Sequence, residues 1–323
     1  MHAIAPQHDI AIDHRVRQFL EQLNSSGGRP LEELGPAEAR SVLTKLQNSV
    51  EVELPPARVT QRSIDHLGQQ VDLTVVHPAG EKRVTPAFMF FHGGGWVLGD
   101  FPTHERLVRD LVALSGVAAV FVNYTPSPEV RYPVAINQAY AATDWVAKFG
   151  REIDVDGSRL AVVGNSAGGN MATVVAVMAK DRGGPELRFQ GLMWPVTDAN
   201  FETPSYHEFG AGRFLTKSLM QWFWDNYTSD PLERTEIYAS PLRAMTEELR
   251  GLPPALVQTG GNDVLRDEGE EYARKLDAAG VDVIAVRYSG MIHDWGLLNP
   301  LSQVPATRAA LLQVAEELKR RLR

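Results

Sequence analysis

Residues 12–24 and 36–48 repeat their apolar side chains three and four positions apart, a spacing that predicts two amphipathic helices. Ser25-Ser26-Gly27-Gly28-Arg29-Pro30 breaks the pattern between them. From about residue 57 the period falls to two. VTQRSIDHL and QQVDLTVVHP alternate as half-buried antiparallel strands do, with His77-Pro78-Ala79-Gly80 as a turn. Six apolar runs follow: TPAFMFFHG, AAVFVNY, LAVVGNS, GLMWPVT, PALVQTGG and DVIAVRY. They do not alternate, as suits strands covered on both faces. Helical stretches accompany them at 103–114, 134–149, 169–181, 267–279 and 305–322. This rhythm predicts an α/β fold, a mostly parallel central sheet flanked by helices.

One stretch interrupts the rhythm. Residues 198–243 hold Phe201, Tyr206, Phe209, Phe214, Trp222, Phe223, Trp224 and Tyr227 but no strand pattern. We expect a helical insertion that packs its own aromatics and, with residues 1–50, forms a cap over a pocket. Residues 1–323 are otherwise read as one domain.

Composition narrows the field. A net charge of −8 argues against nucleic acid or an anionic membrane as partner. The absence of cysteine removes disulfides, thiolate metal sites and a thiol nucleophile. The first twenty residues lack a basic stretch followed by a long apolar one, so neither a signal peptide nor a membrane span is expected, and the place expected is the cytoplasm.

The chemistry gathers around Gly164-Asn165-Ser166-Ala167-Gly168-Gly169, directly after the strand LAVV and before a helix. A G-x-S-x-G at a sharp strand-to-helix turn lifts its serine above the sheet, and small neighbours relieve the crowding. Ser166 is therefore the candidate nucleophile. His92-Gly93-Gly94-Gly95-Trp96 ends an earlier strand, and a glycine loop there brings backbone N–H groups close to a developing oxyanion. The donors expected are Gly94, Gly95 and Ala167, with His92 ordering the loop.

A serine nucleophile needs a base and a carboxylate to orient it. Downstream of Ser166 stand only His207, inside the insertion, and His293, on the loop after DVIAVRY. His293 is the candidate base. Asp263, at the end of PALVQTGG, is the favoured acid. Asp198, after GLMWPV, and Asp267, in a first helical turn, are the alternatives. Trp96, Phe214 and Trp295 are expected to line the substrate pocket.

HGGGW, GNSAGG, NDVLRDEG and the final His293, in this order and spacing, resemble the hormone-sensitive lipase family of bacterial esterases. Tyr124-Thr125-Pro126-Ser127-Pro128-Glu129 is similar to that family's Tyr-Arg-Leu-Ala-Pro-Glu segment. The resemblance implies an α/β-hydrolase fold with a helical cap, hydrolysis of short-chain acyl esters, and no cofactor or metal. Three departures stand out. Asn165 replaces the family's usual Asp, Thr125 its Arg, and Asp294-Trp295 the usual Gly-Phe after the histidine. The same apparatus could serve an amidase or arylformamidase, or survive in a non-catalytic ligand-binding relative. A small ester is the expected partner. The final strand, 281–288, is apolar and expected at a sheet edge, where two chains could pair as a homodimer.

Overall fold

The computed structural model describes residues 5–81 and 83–323. Two helices lead, α1 (His14–Ser25) and α2 (Pro36–Gln47). Asp13 caps α1 by accepting the N–H of Arg15, and Pro36 opens α2, where its missing N–H costs nothing. The strands β1 (Ala57–His66) and β2 (Gln69–Pro78) pair antiparallel along their whole length. They turn at Leu67-Gly68, both left-handed. The expected His77-Pro78-Ala79-Gly80 turn lies after this hairpin, at the exit of β2.

The remainder alternates as its pattern predicts: β3 (Thr85–Phe91), α3 (Phe101–Ser115), β4 (Ala118–Asn123), α4 (Val134–Phe149), β5 (Val155–Asn165), α5 (Ala167–Asp181) and β6 (Gln190–Met193). The insertion supplies α6 (Pro204–Phe209), α7 (Lys217–Tyr227) and short 3-10 turns, with no strand. Then come β7 (Ala255–Gly260), α8 (Arg266–Ala278), β8 (Val283–Tyr288) and α9 (Pro305–Arg321).

All eight strands form one sheet in the order β1-β2-β4-β3-β5-β6-β7-β8. Of these strands β2 alone is reversed, antiparallel to both β1 and β4; β3 through β8 are parallel to one another. The apolar runs are buried on both faces because each face has its own helices. In β3, Ala87, Met89 and Phe91 point to the core beneath α4 and α5, and Phe88 and Phe90 to the core beneath α3 and α9. The α/β-hydrolase architecture expected from the sequence is borne out.

Two strands depart from the expected texture. GLMWPVT leaves the sheet after Met193, because Trp194 adopts φ 38°. DVIAVRY is only half covered: among the described residues β8 pairs with β7 alone, and Ala285 and Arg287 are exposed. Among the described residues no helix is long and apolar enough to cross a membrane.

Candidate active site

Parallel strands place their C-terminal ends on one rim, and the loops leaving that rim carry the site. At the end of β5 the chain turns through Ser166, whose φ of 55° and ψ of −123° are strained for a residue with a side chain. Such a backbone costs about 1–3 kcal/mol and persists where its surroundings over-determine it. The turn is tight enough to require glycine at 168, where an added Cβ would lie 1.9 Å from the carbonyl oxygen of Phe91. Val196 and Asn170 both donate their N–H to the Ser166 carbonyl, which pins the turn from the loop after β6 and from α5.

Two further loops converge on Ser166. His293 follows β8 and places Nε2 2.9 Å from Ser166 Oγ. Its Nδ1 lies 2.7 Å from Oδ2 of Asp263, on the loop after β7. A carboxylate only accepts, so Nδ1–H donates to Asp263 and Nε2 is left to take the serine proton. Asp263 Oδ1 accepts the N–H of Leu265 at 3.0 Å, which fixes the carboxylate. The two loops are laced together by Asn262, whose N–H donates to Met291 and whose side chain donates to the Ser289 carbonyl. Burial works to lower the pKa of His293, but the charges of Asp263 and Asp294 and the hydrogen bond to Asp263 outweigh it and hold it above its ordinary value.

The glycine loop after β3 faces the serine. Gly94 and Gly95 have φ of 96° and 60°, and both border the cavity that contains Ser166 and His293. Gly95 could be nothing else, since an added Cβ would fall 2.0 Å from the ring of Phe223 on α7. Ala167 is the first residue of α5, so its N–H belongs to the free end of that helix. His92 lies behind the loop, with Nδ1 2.8 Å from the Gly93 carbonyl and its ring stacked 4.1 Å from Tyr124. Burial pushes its pKa down to about 4, so it stays neutral and braces the loop.

The cavity holds about 500 Å³. Leu23 of α1, Leu43 and Leu46 of α2, and Leu219 and Phe223 of α7 form its apolar wall, closed by the 27–32 segment between α1 and α2. Phe214 lines it. Trp96 and Trp295 do not, and this corrects the sequence reading. Trp96 has φ 60° and turns under the insertion, stacked 4.1 Å from Tyr227. Trp295 follows the left-handed Asp294 and packs 4.2 Å from Trp194 in the core below the site.

The alternative acids are occupied elsewhere. Asp198 pairs with Arg243 at 2.7 Å, and Asp267 accepts the N–H of Ser205 at 2.8 Å. His207 is exposed beside Glu202. Thr125, where the family has Arg, is hydrogen-bonded through both its N–H and its hydroxyl to Gln138. Sequence reasoning missed the 27–32 wall and the place of Asp294, which lines the cavity directly after His293. A signal for the latter was present, since positions 165 and 294 both depart from the family pattern. Among the described residues no group of His, Asp and Glu could hold a metal ion.

The chain belongs to the α/β-hydrolase fold family, in its hormone-sensitive-lipase-like branch, with the family match spanning residues 88–297. Among solved structures it is similar to a thermostable esterase from Pseudomonas putida, at 63% identity and a TM-score of 0.97, covering 98% of this chain and 99% of that one. It is also similar to the carboxylesterase NlhH of Mycobacterium tuberculosis, 36% identical over 88% of this chain and 89% of the relative. An ethyl acetate hydrolase of Pseudomonas putida is 33% identical over 73% of each.

Proposed function

We propose that Ser166, His293 and Asp263 are the catalytic triad of this chain, with the N–H groups of Gly94, Gly95 and Ala167 as its oxyanion hole. The enzyme is a serine hydrolase of carboxylic esters. The observation that carries the triad is the unbroken hydrogen-bonded run from Asp263 through His293 to Ser166 at the floor of the cavity.

Ser166 Oγ attacks the acyl carbon while His293 Nε2 takes its proton. The tetrahedral oxyanion lies against the three N–H groups, and its collapse breaks the bond to the alcohol, which leaves with the proton from Nε2. A water molecule then repeats the sequence on the acyl-enzyme and frees Ser166. Asp263 fixes the imidazole tautomer and stabilises its cationic form without giving up its own charge.

The helices α1 and α2 and the 198–243 insertion act as the cap, since residues of each line the cavity; the first four residues lie outside the described part. A mostly apolar cavity of this size suits small substrates with short acyl chains. The negative net charge supports a role away from nucleic acid and anionic membranes. The bare edge of β8 supports a homodimer formed through 281–288.

The test is Ser166→Ala together with organophosphate labelling. The variant should lose several orders of magnitude in kcat with its fold intact, and only the wild type should be labelled. Retention of more than about a tenth of the activity places the nucleophile elsewhere. Butyrate esters should turn over faster than emulsified long-chain triglyceride.

A further inference from the structure

Asp294 brings a second carboxylate to the candidate base. Its φ of 56° is left-handed, a conformation that a residue with a Cβ keeps only where its surroundings hold it. Its side chain shows what holds it. Oδ1 accepts from Nε1 of Trp194 at 2.6 Å and from Nδ2 of Asn165 at 3.0 Å. Oδ2 lies 3.8 Å from Nε2 of His293, the nitrogen that faces Ser166.

Two charged groups act on His293. Asp263, from the loop after β7, bonds Nδ1, and Asp294, from the histidine's own loop, stands near Nε2. Ser166, from the turn after β5, presents the hydroxyl that completes the ring's surroundings. Among the described residues no lysine or arginine lies within ion-pair distance of either carboxylate, so neither charge is spent on a cation.

We propose that Asp294 is a positioning residue for ester hydrolysis, stabilising the imidazolium form of His293 from the Nε2 side, and that Asn165 is the neutral partner that makes room for it. This rests on the triad assigned above. When Oγ bonds to the acyl carbon, its proton moves to Nε2 and the ring becomes a cation between two carboxylates. When the bond to the alcohol breaks, that proton leaves on the alkoxide and the ring is neutral again. No proton passes through Asp294 in either step.

Asn165 explains why the arrangement is tolerated. Its Oδ1 accepts the N–H of Gly93 at 3.0 Å, while its Nδ2 donates to Asp294. One amide thus ties the oxyanion loop to the histidine loop. An aspartate at 165 would set two carboxylates a hydrogen-bond length apart, where both cannot stay ionised. The two departures from the family pattern are therefore one exchange, a carboxylate moved from the residue before the nucleophile to the residue after the base.

The experiment compares wild type with Asp294→Gly and Asp294→Asn, measuring kcat and KM on p-nitrophenyl butyrate from about pH 5 to about pH 9. Glycine suits the left-handed backbone, so this variant folds even if the asparagine variant does not. In each folded variant the acid limb of kcat/KM should move down by about one pH unit, which reports a tenfold weaker hold on the imidazolium proton. Near pH 8 kcat should fall by about tenfold while KM changes by less than about twofold. Asn165→Asp should impair the enzyme and be rescued by adding Asp294→Gly. An acid limb that stays within about 0.2 unit of wild type overturns the proposal, because a purely structural role would alter melting and KM but leave the limb in place. Failure of the triad assignment would show separately, as wild-type enzyme that organophosphate does not label at Ser166.

Discussion

At His293 four influences meet: burial, which opposes the cation, and two carboxylates and a hydrogen bond, which favour it. The second group prevails, so the folded enzyme holds the proton of His293 above the ordinary histidine value of 6.5. A base must be neutral to act, so activity is present above that raised pKa and is lost as pH falls through it. The acid limb of kcat/KM should therefore fall above 6.5, and a limb at or below that value would contradict the balance of charges at the site. His92 should leave no trace in this profile, since burial keeps it neutral down to about 4.

Among the elements, α2 has the clearest link to the site. Arg40 reaches from its middle to Glu129 with two contacts of 2.7 Å, and donates to the carbonyls of Val97 and Ser127. Glu129 holds the Arg40 proton tightly, and Arg40 keeps the Glu129 carboxyl below its usual range. The ion pair is half open to solvent and is worth little by itself, but the two carbonyls lose a donor if the guanidinium goes. Arg40→Ala should lower stability by about 1–2 kcal/mol in urea melts. It should also raise KM for a butyrate ester more than it lowers kcat, because α2 forms the pocket wall and not the reacting centre. An unchanged KM would show that α2 keeps its place without this anchor.

For the whole molecule, the prediction of a homodimer rests on β8. Among the described residues nothing pairs with its outer edge, and a shallow groove beside it runs between β8 and α8. Arg287, which would otherwise guard the edge, is drawn back onto Glu270 by two contacts of 2.6 Å. Light scattering at micromolar concentration should give about twice the 35.6 kDa of one chain. Lysine at Ala285 should return the protein to a single-chain mass without loss of activity. Ala285 is exposed, whereas Val283 packs on the core, so the substitution tests the edge and not the fold. A single-chain mass for the wild type rules the dimer out.

What the sequence determined by itself is what short-range pattern encodes. The β-α alternation fixed the sheet, and the strand–turn–helix around Ser166 singled out one serine. The positions of Asp263 and His293 at strand ends marked them as the favoured candidates for acid and base. These are local signals, because a parallel sheet delivers its strand ends to one rim whatever its loops contain. Tertiary structure alone decided where the aromatic side chains went. A left-handed residue turns Trp96 under the insertion, and another precedes Trp295, which packs in the core below the site; spacing carries no sign of either. It also decided that the 27–32 segment walls the cavity. Finally, it brought Asn165 and Asp294, 129 positions apart, into a single hydrogen bond. Such pairs depend on how distant loops meet over the sheet, and a chain read in order carries the residues but not their meeting.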